Sequence, residues 1–265
     1  EGLKEYFLSE PKKTTSNSDK LTNVSIKKPA QIKPLFSDKT TLIDIKKTKS
    51  LKIEASIKSK DEVFDESGKN VYLIGNFVGS GAEGTVYSIS NMNSKTISSR
   101  SVCKIYSKDM LDNHRLEKLQ LMVKNQISSN GICWPRSILY TSKNEPVGFI
   151  MKKAEGYSLK RSLFAHPKIF EEKLPSWDRA NLVKVCLNIL DAVNLLHKNN
   201  VLLGDINGSN IMVNDKCETF IVDADSFQIE GYPCPVGSPE YTAPEIQKMK
   251  FGTFLRTKNN EYFSL

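Results

Sequence analysis

The segment Leu195-Leu196-His197-Lys198-Asn199-Asn200-Val201-Leu202-Leu203-Gly204-Asp205-Ile206-Asn207-Gly208-Ser209-Asn210-Ile211-Met212-Val213 is followed, thirteen residues after Asn210, by Asp223-Ala224-Asp225. Short β-like pieces at Asn210 to Val213 and Thr219 to Val222 surround a turn at Asn214-Asp215. An aspartate, an asparagine five residues on and a second aspartate at the end of such a pair supply one candidate base, Asp205. They also supply two oxygen ligands, Asn210 and Asp223, for a hard cation such as Mg2+. Immediately upstream, Asp178 is placed to cap a helix whose apolar face comprises Leu182, Val185, Cys186, Ile189, Val193 and Leu196.

Toward the N-terminus, Val71 to Val78 runs into Gly79-Ser80-Gly81-Ala82-Glu83-Gly84-Thr85-Val86-Tyr87, which predicts strand, glycine-rich turn, strand. Glycines at positions 1, 3 and 6 of a hairpin loop remove side chains, so that backbone N–H groups can approach phosphates. The turn is not a Walker A loop, since no Gly-Lys-Ser/Thr follows, nor a Rossmann turn, since a strand and not a helix comes next. By itself it is equally a plain glycine hairpin. Ser101 to Tyr106 predicts a third strand, and its two-residue period puts Val102 and Lys104 on one face. An apolar wall and an ammonium on the same side suit an adenine and its phosphates. Residues 109–127 show helical spacing (Leu116, Leu119, Met122, Val123, Ile127), and in this helix Glu117 is the acid best placed to pair with Lys104, its other reading being a surface charge. Strands are also expected at Ser137 to Tyr140 and Val147 to Met151, giving three strands, a helix and two strands before the pattern turns helical.

With these segments side by side, the chain from about residue 72 to 265 resembles a protein kinase of the eukaryotic-like Ser/Thr type. Gly79 to Tyr87 resembles the family's G-x-G-x-x-G-x-V loop, and Val102-Cys103-Lys104 the end of V-A-I-K. Leu203-Gly204-Asp205 to Asn210 stands for H-R-D-x-x-x-x-N, Asp223-Ala224-Asp225 for D-F-G, and Gly237 to Glu245 for G-T-x-x-Y-x-A-P-E. The resemblance implies an α+β bilobal fold: an antiparallel β N-lobe with one helix over 70–151, then a mainly α C-lobe over 152–265 that is incomplete at the C-terminus. It implies ATP under Gly79, Ser80, Gly81 and Gly84, with Val86 and Val102 against the adenine and the connector Met151 to Glu155 turning its backbone toward it. Lys104, paired to Glu117, would hold the phosphates, Asn210 and Asp223 would bind Mg2+, and Asp205 would take or orient the proton of the attacking hydroxyl of a protein substrate. His197 matches a structural position ahead of the catalytic loop.

A finer resemblance, carried by Gly204-Asp205-Ile206-Asn207, Asp223 to Ile229 and Tyr232 to Glu240, is to bacterial kinases often encoded beside a von Willebrand-type protein and a PP2C-type phosphatase. Several positions depart from the family pattern. Gly204 replaces the arginine before the catalytic aspartate, so activation by a phosphate on the segment after Asp223 is not expected. Asn207 replaces a lysine that would face the γ-phosphate. Ala224 and Asp225 replace the Phe and Gly of D-F-G, and Asp225 is either a further metal ligand or a cap. Ser238 matches a residue that braces the catalytic aspartate. The sequence stops at Glu261 to Leu265, where the resemblance places the start of a long C-lobe helix; without the remainder, Glu245 would lack its arginine partner and the catalytic loop its apolar support. These departures keep two alternatives open: a pseudokinase serving as a nucleotide-binding scaffold, and a small-molecule kinase, against which the Gly237 to Glu245 shelf speaks.

The 265 residues are 39% hydrophobic and 26% charged, and no apolar run approaches the roughly 18 residues of a membrane span. Residues 1–60 carry 14 lysines against 7 acids, so nearly all of the chain's net charge of +8 belongs to this end. The remainder is almost neutral, which argues against nucleic acid as the partner of the folded part. With Tyr6, Phe7 and Phe36 the only aromatics before Phe64 and with no sustained period, residues 1–68 read as a flexible Lys/Ser/Thr-rich linker. The five cysteines are scattered without a C-x-x-C pair, which fits reduced thiols and a cytoplasmic location, and no secretory signal opens the chain.

Overall fold

The computed structural model describes residues 39–43, 51, 56–93 and 100–265. These belong to one compact unit, Leu35–Leu265. In chain order the strands are β1 (Thr41–Leu42), β2 (Glu62–Phe64), β3 (Val71–Ser80), β4 (Gly84–Asn91), β5 (Ser101–Tyr106), β6 (Ser137–Tyr140), β7 (Pro146–Lys152), β8 (Tyr157–Ser158), β9 (Val201–Leu202), β10 (Ile211–Val213), β11 (Thr219–Ile221), β12 (Gln228–Ile229) and β13 (Phe254–Leu255). The helices are α1 (Asn113–Lys124), α2 (Pro167–Lys173), α3 (Arg179–Lys198) and α4 (Lys258–Ser264).

Strands β2 to β7 close into an antiparallel barrel in the order β2-β3-β4-β5-β7-β6. Its interior is filled by Val63, Ile74, Ile89, Cys103, Ile105, Leu139, Val147 and Ile150. A second apolar cluster lies on the other face of β5 and β7, where Val102 is in register with Met151 and Lys104 with Phe149. The β-rich first part is followed by a second part built on α3, the two-lobed α+β arrangement expected from the sequence. Asp178 caps α3 in a reciprocal box with Asn181, each side chain accepting from the other residue's backbone N–H. Val185, Val193 and Leu196 are buried as the apolar period predicts, but Leu182 and Cys186 are exposed and line an open apolar groove.

The folded part begins earlier than the composition predicts. Val63, within the stretch read as linker, is fully buried in the barrel, and β1 pairs with β13 through Thr41↔Leu255 and Leu42↔Phe254. In β2 a single side chain, Val63, is buried, and in β1 both residues are exposed and pair through the backbone, so a lysine-rich average conceals these strands. The rest of the 1–68 linker expectation lies largely outside the described residues. Among the described residues no helix is long and apolar enough to cross a membrane.

Helix α1 starts at Asp112, whose carboxylate accepts the Arg115 N–H at 2.7 Å. Lys118, Leu119 and Met122 are its buried residues, and Glu117 lies on the opposite, exposed face. Burial pushes the Lys118 ammonium down to about 8 from 10.5, against the pull of the Cys234 and Asp225 sites. The folded protein thus binds this proton less tightly than the unfolded chain, so Lys118 makes stability rise with pH between about 8 and 10.5. Lys118→Met should raise stability at pH 7 by about 1–3 kcal/mol, with the gain shrinking as pH passes 8, in urea titrations of both proteins across that window.

Candidate active site

The loop carrying Asp205 lies between β9 and β10, and Asp223 follows β11 directly. Because β12 returns antiparallel to β9 (Gln228↔Leu202, Ile229↔Val201), the 223–227 turn is pinned beside the Asp205 loop. Asp205 is held from two sides: its Oδ1 accepts from the Ser238 hydroxyl at 2.9 Å and its Oδ2 from the Asn210 amide at 3.1 Å. Asn210 also donates to the Asp205 carbonyl at 3.0 Å. The amide NH2 of Asn210 is thereby spent on Asp205, which leaves its carbonyl oxygen and the second oxygen of Asp223 as hard donors on one side of the loop. That donor set fits a divalent cation of the Mg2+ type.

Gly204 has φ +75° and donates its N–H to Glu261 Oε2 at 2.7 Å, while Glu261 Oε1 lies 2.8 Å from His197 Nε2. A Cβ at 204 would fall 2.5 Å from Cys234 Cβ and 2.8 Å from an Arg256 guanidinium nitrogen. The absent arginine side chain thus leaves the space that buried Arg256 fills, with its NH2 donating to the Val236 carbonyl at 2.6 Å and its cation over the Phe251 ring at 4.8 Å. Gln228 exchanges two hydrogen bonds with the Arg256 backbone, at 2.7 and 2.9 Å. Glu245 accepts from Asn260 of α4 at 2.6 Å, so among the described residues an amide stands where an arginine was expected.

Lys104 sits at the meeting of the lobes. Its Nζ is 2.7 Å from Asp223 Oδ1, 2.9 and 2.8 Å from the two oxygens of Asp225, and 3.5 Å from Glu83. Burial alone would drive the ammonium toward its neutral form, but Asp225 and Asp223 outweigh it and hold its pKa above the ordinary lysine value. Burial would likewise raise Asp225; the Lys104 charge and the Tyr106 hydroxyl, which donates at 2.7 Å, bring it below the usual carboxylate range. Asp223 stays above its ordinary value because burial and the Asp225 charge exceed the pull of Lys104. Glu83, Asp223 and Asp225 place carboxylate oxygens within 4.8 Å of one another, and the cation among them is the Lys104 ammonium itself.

The expected Lys104–Glu117 pair does not form. Glu117 is exposed and accepts from the Tyr232 hydroxyl at 3.2 Å, because the α1 face turned toward the site is the one bearing Arg115, Lys118, Leu119 and Met122. That face is cationic, so the acids come from elsewhere: Asp225 from the 223–226 turn, and Glu83 from the glycine loop, which also binds Arg115 at 2.6 Å. The apolar spacing of Leu119 and Met122 already turned Glu117 outward, a signal available in the sequence. Nothing local marked Glu83, Tyr106, Arg256 or Glu261.

Gly79 and Gly81 have open space where a Cβ would be, with Ser80 exposed between them. The Gly81 N–H donates to the Gly84 carbonyl at 2.9 Å, closing the turn on itself. Gly84 is required by the sheet instead: a Cβ there would lie 2.3 Å from the Ile105 carbonyl of β5. Val86, Val102 and Met151 share one apolar cluster with Ala154, Met212, Phe220 and Val222. Glu155 lies outside it; the side chain is exposed and lines a polar cleft with Arg100, Lys152, Asn188 and Glu218.

The sequence matches the protein kinase domain over residues 72–259. It is 29% identical over 219 residues to protein kinase YegI of Escherichia coli (strain K12), spanning 79% of this chain and 32% of that protein. It is 34% identical over 106 residues to the serine/threonine-protein kinase PknG of Mycobacterium leprae, covering 40% of this chain and 13% of that one. The chain thus spans a third or less of these relatives' length. The fold is similar to a solved structure of vaccinia related kinase 3, with TM-score 0.55 and 15% identity over 79% of this chain and 67% of that one. The chain belongs to the protein kinase family.

Gly204→Ala should lower stability by about 2–4 kcal/mol, since the new Cβ meets Cys234 and Arg256 at a positive φ. Urea unfolding measures this loss, with Gly208→Ala unsuitable as a control because its Cβ would meet the Phe164 ring at 2.8 Å.

Proposed function

We propose that this chain transfers the γ-phosphate of ATP to serine and threonine hydroxyls of a protein substrate. The observation that carries the reading is the convergence of Asp205, Asn210, Asp223 and Lys104, with Asp205 fixed by Ser238 and Asn210 and with Lys104 2.7 Å from Asp223. In this reading Asp205 accepts or orients the proton of the attacking hydroxyl, and its fixed rotamer supplies the positioning on which phosphoryl transfer depends. Lys104 offers an ammonium to the phosphates, and the Val86, Val102, Met151 and Met212 wall takes the adenine. A Mg2+ ion held by Asn210 and Asp223, when bound, neutralises charge on the phosphates.

Protein substrates are favoured by the Gly237 to Glu245 shelf, which is tied down through Ser238 to Asp205 and through Glu245 to Asn260. Serine/threonine preference rests on the family likeness, and the phosphatase and von Willebrand-type partners on the subgroup motifs alone. A second reading, a nucleotide-binding scaffold without transfer, is favoured by Asn207. Its amide donates to the Asp205 carbonyl at 3.3 Å and its oxygen accepts the Ser209 N–H at 2.8 Å, so it braces the loop and brings no cation to the γ-phosphate.

Transfer from γ-labelled ATP to generic protein substrates should require Mg2+ and fall by about 10²-fold or more in Asp205→Ala, with ATP binding retained. Binding of ATP without transfer by the wild-type chain would support the scaffold reading instead.

A further inference from the structure

The buried carboxylate of Asp225 takes no role in the proposed transfer, and we propose that it is the positioning residue for Lys104, taking the place of a helix α1 acid. This deepens the kinase reading of the same site and rests on it. Asp225 meets Lys104 with both oxygens, at 2.9 and 2.8 Å, and its side chain is only 1% exposed. Tyr106, two residues beyond Lys104 on the same strand, donates to the Asp225 Oδ2 at 2.7 Å. The carboxylate is thus clamped by two groups of β5, one charged and one neutral, in a space with no water-facing side.

Its own backbone is equally constrained. Residues 224–226 form one tight turn in which both the N–H and the hydroxyl of Ser226 donate to the Asp223 carbonyl, at 3.0 and 2.8 Å. Asp223 and Asp225 are therefore held in one hydrogen-bonded turn. The even spacing lets one turn present two carboxylates with different exposure: Asp223 at 35% and open toward the cleft, Asp225 sealed beneath it. Asp223 is left to face a cation from the cleft, while Asp225 keeps the ammonium aimed.

Helix α1 cannot supply that carboxylate in this packing. Its site-facing residues Arg115 and Lys118 are cations, and Glu117 points away into contact with Tyr232. What α1 holds instead is the glycine loop, through the 2.6 Å Arg115–Glu83 pair. The position of Lys104 is accordingly set by the turn that bears the metal-facing aspartate, and the position of the glycine loop by α1.

The test is a thermodynamic cycle in the nucleotide-free 265-residue chain, together with ATP titrations. Lys104→Met should lower the melting temperature by stranding a buried carboxylate, and adding Asp225→Asn should restore most of the loss, whereas adding Glu117→Gln should restore none. In ATP titrations without Mg2+, Asp225→Asn should weaken affinity about 10-fold in the wild-type background and by less than about twofold when Lys104 is already Met. Restoration by Glu117→Gln, or an Asp225→Asn effect on ATP affinity that persists without Lys104, would overturn the assignment. The melting cycle reads the pairing whether or not the chain transfers phosphate, so its failure and the failure of the kinase reading are separate results.

Discussion

One buried ammonium organises the centre of this protein. Lys104 comes from the barrel and its two closest carboxylates lie 119 and 121 residues further along, in the second lobe. A charge with so little exposure is tolerable only if it is paired and hydrogen-bonded, and taking away one member of such a pair costs about 3–5 kcal/mol. The pairing therefore constrains everything attached to it: the 223–226 turn beneath, Tyr106 beside it, and the glycine loop above through Glu83. Joining the two lobes and composing this charged centre are a single electrostatic requirement here.

The second anchor is the group of contacts that holds the Asp205 loop. Glu261 of α4 bonds both His197 at the end of α3 and the Gly204 N–H, so two helices grip the loop at its entry. Ser238 and Asn210 then fix the Asp205 carboxylate at its exit. The segment between Asp223 and Glu245 is tied by the Gln228 bonds to the Arg256 backbone and by the Asn260–Glu245 bond, none of which involves a phosphate. Arg256 fills the space beside Gly204, so the missing arginine at 204 and the present one at 256 are two sides of one packing solution.

Much of this was legible in the sequence because it is local. The strands from Val71 to Met151, the cap of α3, and the spacing of Asp205, Asn210 and Asp223 are each written in short local patterns, and the Ser238 brace follows from the resemblance of the shelf motif. What the sequence concealed is long-range. Asp225 is two residues from Asp223, and only the placement of β5 above it turns a candidate cap or ligand into the partner of a lysine. The family resemblance places an acid inward at Glu117, whereas the phase of Leu119 and Met122 sets the opposite orientation. Val63 and Leu42 sit in short apolar pairs, Val63-Phe64 and Leu42-Ile43, within a lysine-rich stretch, and a compositional reading has no means of finding strand partners for them.

The division of labour between the two aspartates is the central claim, and a crystal structure of the chain with Mg2+ and a non-hydrolysable ATP analogue tests it most directly. The account predicts Asp225 still within hydrogen-bond distance of the Lys104 ammonium, Asp223 turned to the metal, and Glu117 remaining on the outer face of α1. A rotated α1 with Glu117 against Lys104, and Asp225 released from it, would contradict the account.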